Sequence, residues 1–210
     1  HLVRERGERG IVVRTFSQSV LVDRIADALG CPVRIVPIGF KYIADLMLTG
    51  DVLIGGEESG GIGVRGYLPE RDGTFAGLLL LEALIARGQR PSEAVRALWR
   101  EFGEFQYRRE DQHMPVERGK AIVAHLTADP PHRLADFRIV DVQTLDGTKF
   151  LFEDASWILF RQSGTEPVLR IYVEATSVEK RDRIMDAGLA LVRELAARLS
   201  DETPVGEGEA

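Results

Sequence analysis

The chain has 210 residues, 44% of them hydrophobic and 29% charged, and a formal net charge of -6. That is enough apolar material for one or two cored domains and too much for a disordered chain. The acidic balance argues against nucleic-acid binding as the main task, so an anion would be held by a local positive site.

The chain starts at His1-Leu2-Val3-Arg4-Glu5 without an initiator Met, and is expected to be a piece of a longer protein. Gly10-Ile11-Val12-Val13-Arg14-Thr15 reads as a buried strand. Residues 20–29 are apolar at 21, 25, 28 and 29, which is helical spacing, with Ser19 as N-cap and Gly30 as the stop. The single Cys31 excludes an internal disulfide framework, reads as structural, and fits a reducing cytoplasm. Val33-Arg34-Ile35-Val36 is a second strand, 40–48 a second helix, and Asp51-Val52-Leu53-Ile54 a third strand. This alternation implies a parallel α/β unit. Ligands of such sheets bind beyond the carboxyl ends of the strands, where the glycine-rich stretch 55–63 stands.

Helices are expected over 74–86 and 92–103. The longest apolar run, Leu78-Leu79-Leu80-Leu81, ends at Glu82, so no membrane span and no membrane partner is expected. Residues 104–117 turn polar and read as the domain boundary, with Arg108-Arg109-Glu110-Asp111 a solvated face. A helix over 117–126 is broken by Pro130-Pro131. Short strands follow at 137–142, 149–152, 156–160 and 168–174, with Asp146-Gly147 a hairpin turn. A helix over 178–199 closes the fold, with Thr176 and Glu179 as a capping box. The expected fold class is therefore α/β. A parallel α/β domain over 1–105 precedes a small α+β domain with an antiparallel sheet over 106–200, and 201–210 form an acidic tail.

Two loops carry chemistry. In Gly55-Gly56-Glu57-Glu58-Ser59-Gly60-Gly61-Ile62-Gly63 the glycines allow close approach of a ligand. The carboxylates and hydroxyl suit a polyhydroxyl ligand. The loop follows the third strand and contains two acids, so it is not a dinucleotide fingerprint; taken alone, a flexible linker reads equally well. Arg161-Gln162-Ser163-Gly164-Thr165-Glu166-Pro167 lies between two predicted strands. Arg161 offers a planar fork to phosphate oxygens. Ser163 and Thr165 add hydroxyls, Gly164 lets N–H groups converge on an anion, and Arg170 follows on the next strand. The alternative on composition is a polar hairpin loop.

Together the two loops resemble those of the α-D-phosphohexomutases, the phosphoglucomutase/phosphomannomutase family. Supporting matches are Val12-Val13-Arg14-Thr15, Val36-Pro37-Ile38-Gly39-Phe40-Lys41-Tyr42-Ile43 and Pro69-Glu70-Arg71-Asp72-Gly73, and the resemblance covers roughly residues 8–190. It implies the third and fourth of four domains around one cleft. The phosphoserine loop of the first domain and the Mg²⁺-binding aspartate loop of the second are not found here. Asp72-Gly73 and Asp146-Gly147 read as turns or caps, so no catalytic or metal residue is assigned to this chain.

By resemblance, Glu57 and Ser59 bind sugar hydroxyls, and Lys41 and Arg14 contact the sugar or the reacting centre. Arg161, Ser163, Gly164 and Thr165 grip the non-reacting phosphate, with Arg170 as support. By position alone Lys41 is a solvent-facing helix residue, and Arg14 is equally a structural ion-pair partner. Gly61 replaces a histidine found in some members. Gln162 replaces a Pro or small residue, and is expected to change loop stiffness but not the donors.

The implied parent is a cytoplasmic isomerase of carbohydrate metabolism. It interconverts hexose 1- and 6-phosphates through a phosphoserine and a hexose 1,6-bisphosphate intermediate, with Mg²⁺ as cofactor. The implied partners are a phosphosugar and the N-terminal half of the same protein. The alternatives are a non-catalytic phosphosugar-binding module and a phosphoglucosamine mutase fragment, the second disfavoured because Glu58 stands where those members tend to carry Gln.

Overall fold

The computed structural model describes residues 1–201; most of the expected acidic tail lies outside the described residues. Two compact units divide the chain, His1–Phe105 and Gln106–Ala210.

In the first unit β1 (Ile11–Thr15) pairs in parallel with β2 (Val33–Val36) and β3 (Val52–Gly56). Helices α1 (Leu21–Ala28) and α2 (Phe40–Thr49) make the crossovers, as parallel pairing requires. The sheet is not wholly parallel. After β3 the chain reverses into β4 (Ile62–Val64), giving the order β2-β1-β3-β4 with an antiparallel edge. The glycine-rich stretch is therefore a hairpin rather than a crossover loop.

Two of its glycines are packing sites. A Cβ on Gly55 would stand 2.3 Å from Cγ2 of Ile43, and one on Gly63 would stand 2.9 Å from Phe40. Both contacts belong to α2, whose Phe40 and Ile43 pack with Val13, Val36 and Val52. Helix α3 (Gly73–Arg87) takes Asp72 as N-cap, the carboxylate accepting from the Phe75 N–H at 2.9 Å. Its Phe75 and Leu79 pack near Leu53 and Val64, while Leu78, Leu80, Leu81 and Ile85 stay exposed. Helix α4 (Pro91–Phe102) has Pro at its first position and Glu93 closing a capping box.

The second unit is a six-stranded antiparallel sheet. The polar stretch read as a linker is its strand β5 (Gln106–His113), paired along its whole length with β10 (Val168–Ala175). Exposed Arg109, Asp111 and His113 alternate with half-buried Arg108, Glu110 and Gln112, and the charges pair along each face, Arg108 with Glu110 and Arg109 with Asp111. This period-2 pattern belongs to a strand with one wet face. Strands β6 (Arg133–Leu134), β7 (Phe137–Gln143), β8 (Thr148–Phe152) and β9 (Trp157–Gln162) complete the order β5-β10-β9-β8-β7-β6.

Helices α5 (Val116–Ala128) and α6 (Val178–Asp201) supply the apolar cover. Ile122, Leu126, Ile184, Met185 and Leu195 pack on Phe150, Ile158, Phe160, Leu169 and Ile171. The expected Thr176 cap is displaced by one residue. The Lys180 N–H donates to Ser177 Oγ, while Thr176 donates its hydroxyl to Asp154.

Candidate functional site

The two units each present one loop, and each loop joins neighbouring antiparallel strands. In the first unit the β3–β4 hairpin closes over residues 57–61. The Glu57 N–H donates to Gly61 O at 2.9 Å, and Gly60 sits at φ 92°, a left-handed conformation that a glycine adopts without strain.

Glu57 is buried, and its Oε2 accepts from Nη1 of Arg71 at 3.0 Å. Arg71 stays more than half exposed and lies 5.8 Å from the ring centre of Phe40, the first residue of α2. It therefore joins the carboxylate to the helix that carries Lys41. The sequence reading used Arg71 only as part of a matched stretch. Its special place comes from a contact fourteen positions away in sequence, which spacing alone does not reveal.

The second acid of the loop has a different task. Glu58 accepts from Ser17 Oγ at 2.6 Å and from Thr15 Oγ1 at 3.3 Å, and both hydroxyl residues are fully buried. Glu58 ties the hairpin to the end of β1. Ser59 is exposed, as is Lys41, whose ammonium lies 4.8 Å from the Tyr42 ring centre. Arg14 is 4% exposed and makes a two-pronged contact with Asp23 of α1, at 2.8 and 2.6 Å. Its Nη1 also donates to Thr15 O at 3.3 Å. Of the two roles left open for Arg14, the ion pair is the one visible in the ligand-free chain.

In the second unit Arg161 on β9 and Arg170 on β10 are direct cross-strand partners, so both point to the same face of the sheet. Like charges placed directly opposite are unfavourable there, and each is balanced by acids. Nε of Arg161 lies 3.0 Å from Oδ2 of Asp146. Arg170 pairs with Glu166, and its Nε lies 3.9 Å from Oδ2 of Asp111. Hydrogen bonding from Arg109 holds the Asp111 carboxyl below its ordinary range, against the opposing effect of burial, so it remains an anion.

Asp146 reaches Arg161 because Gly147 turns at φ 96°. A Cβ on Gly147 would stand 2.4 Å from the carbonyl oxygen of Phe160. The sequence marks this pair as a turn; that the turn aims a carboxylate at Arg161 becomes visible only in the sheet.

Between the arginines the loop is tied to its own strands. Ser163 is 2% exposed, and its N–H donates to Val168 O at 2.9 Å. Gly164 and Thr165 are exposed. Gly164 adopts no positive φ, and the space where its Cβ would be is open. The backbone freedom expected of Gly164 is thus not drawn on in the ligand-free chain, and its side is open. Chemically the face offers two guanidinium forks whose present partners are movable carboxylates. An incoming dianion can replace those partners with stronger, charge-assisted contacts.

Among the described residues no group of three or more His, Cys, Asp or Glu side chains could hold a metal ion, and no helix is long and apolar enough to cross a membrane.

Comparison with known proteins gives a consistent result. Residues 1–102 match the family domain "Phosphoglucomutase/phosphomannomutase, alpha/beta/alpha domain III", and residues 112–191 match the C-terminal domain of the same family. A phosphoglucomutase/phosphomannomutase of Thermococcus kodakarensis is 35% identical over 193 residues, 92% of this chain. The chain spans only 40% of that relative's length. A crystal structure of a Thermus thermophilus protein assigned as a phosphomannomutase superposes with a TM-score of 0.73 at 38% identity, covering 90% of this chain and 37% of that one. The N-acetylphosphoglucosamine mutase of Aspergillus fumigatus, solved with GlcNAc-6P and magnesium, shares the fold at TM-score 0.60 and 17% identity, over 95% of this chain and 41% of its own.

Proposed function

The chain belongs to the phosphoglucomutase/phosphomannomutase family, carrying its third and C-terminal domains, and on that premise we propose that it is the substrate-holding part of a phosphohexomutase. The parent interconverts hexose 1- and 6-phosphates through a phosphoserine and a hexose 1,6-bisphosphate. The observation that carries this reading is the cross-strand pair Arg161 and Arg170 beside the Ser163–Thr165 loop. Two permanently charged forks on one sheet face suit a phosphate dianion.

In this reading Arg161 and Arg170 grip the phosphate that is not reacting, with Ser163, Gly164 and Thr165 closing around it. Glu57, oriented by Arg71, accepts from ring hydroxyls, and Ser59 and Lys41 complete that contact. Arg14 acts near the reacting centre or, through its fork with Asp23, by fixing the end of β1. The phosphoserine gives its phosphoryl group to the free sugar hydroxyl; the bisphosphate turns over; the second phosphate returns to serine. Fixed cations favour the charge that spreads over the transferring group.

Magnesium supplies such charge in the family. Among the described residues no three His, Cys, Asp or Glu side chains are grouped to hold it, and Glu57 and Glu58 face Arg71 and the Ser17 and Thr15 hydroxyls. The serine and the metal loop belong to the length of the relatives that this chain does not span, and that N-terminal half is the partner. The buried, unpaired Cys31 fits a cytoplasmic protein.

Calorimetric titration with glucose 1-phosphate, glucose 6-phosphate and inorganic phosphate tests the reading. All three are expected to bind, the sugar phosphates more tightly, and Arg161→Ala is expected to weaken binding by about a hundredfold. Binding unchanged by that substitution overturns it. The binding-module alternative keeps these contacts and differs only in turnover, which the parent with both halves must show.

A further inference from the structure

The phosphate loop is held from behind by one of its own side chains, seated on a helix residue that lies in none of the motifs. Gln162 is the last residue of β9, and its side chain turns back under the loop. Nε2 donates to Ser163 O and to Glu166 O, each at 3.1 Å. One amide thus bridges the two ends of the turn. Both partners are carbonyls, so the amide must present its nitrogen to them. Oε1 then points the other way, is buried, and has no hydrogen-bond partner.

What it faces is Gly119 of α5. A Cβ on Gly119 would stand 1.7 Å from Oε1 and 2.8 Å from Cδ of Gln162. Glycine inside a helix is unfavourable relative to alanine, and Gly119 is buried in the first turns of α5. The space it leaves is the space Gln162 occupies.

We propose that Gln162, seated against Gly119, is a positioning residue of the phosphate site: it acts through the loop and not on the ligand. Its N–H groups hold the carbonyls of Ser163 and Glu166 inward. The Ser163 N–H is already donated to Val168 O, which leaves the N–H groups of the exposed Gly164 and Thr165, and the Thr165 hydroxyl, for an anion. This assignment rests on the phosphate-binding reading given above.

The two residues make the test selective. Gly119→Ala leaves every residue of the loop in place and adds a better helix former to α5, but its methyl group expels the Gln162 amide. Gln162→Met keeps the approximate length and removes the donor without adding charge. Both variants are expected to fold. Both are expected to speed amide hydrogen exchange over residues 163–167 and to weaken inorganic phosphate binding by about tenfold, the scale of one or two lost hydrogen bonds.

Exchange that stays slow in both variants overturns the clasp. Faster exchange with unweakened phosphate binding overturns its positioning role. Arg161→Ala serves as the separate control. If it leaves phosphate binding intact, the phosphate-site reading fails, while the exchange measurement still judges the clasp.

Discussion

The two loops are built on the same plan and hold charge in opposite ways. Each closes an antiparallel strand pair, and each brings acids and arginines together. In the β3–β4 hairpin the acids are the fixed parts: Glu57 is buried on Arg71, and half-buried Glu58 is held by two buried hydroxyls. In the β9–β10 loop the arginines are the fixed parts, set opposite each other by sheet register and faced by acids from a turn, a neighbouring strand and the loop itself. A neutral polyhydroxyl ligand needs acceptors whose geometry is already set. A dianion needs cations whose partners can leave. On the proposed reading, hydrogen-bond geometry would decide the first site and Coulomb exchange the second.

The largest effect should come from removing one fork. Arg161→Ala is expected to cost about 3 kcal/mol of phosphate affinity, on the scale of a bidentate charge-assisted contact, and calorimetry with inorganic phosphate reads it directly. A loss no greater than that of a neutral hydrogen bond would break the comparison. Gly147→Ala tests the turn that aims Asp146. Positive φ and the clash with Phe160 O predict about 2 to 3 kcal/mol of destabilisation, measured by denaturant unfolding. Gly60→Ala, at a similar φ but in open space, should cost about half as much, from strain alone.

Glu57→Gln is expected to weaken glucose 1-phosphate by about tenfold while leaving inorganic phosphate unchanged; titrating both ligands checks the separation. The smallest effect is on pH. Asp111 is held below its ordinary range by Arg109 and stays ionised from about pH 5 to 8. Asp111 therefore adds no change of affinity in that window, whereas a ligand such as glucose 6-phosphate has its second ionisation near pH 6. Affinity should rise severalfold as pH climbs through about 6 and then level off. A fall with rising pH would assign the titration to the protein instead.

Much of this was legible in the sequence because it is local. The alternation of strands and helices in the first unit follows from period and punctuation, and so do the four short strands of the second. The Arg161–Pro167 loop is ambiguous by composition and stands out only together with the 55–63 stretch. What stayed hidden depends on pairing across the chain. β5 looks like a linker because its polar residues say nothing about β10 until the two meet. Arg14 and Asp23 lie nine positions apart and read as separate charges. Gly55 and Gly63 look like ligand-approach glycines until Ile43 and Phe40 press on them. Gly119 gives no signal at all except that a helix tolerates it.

Helix α3 bears on how the chain behaves in a tube. Leu78, Leu80, Leu81 and Ile85 are each more than half exposed on one helix, and contiguous apolar surface of this kind drives self-association. The net charge of -6 opposes this at low ionic strength, but salt screens that repulsion. Light scattering should therefore rise with salt and protein concentration. Titrations of the chain belong in dilute buffer, where a heat of mixing reports the ligand and not one molecule meeting another.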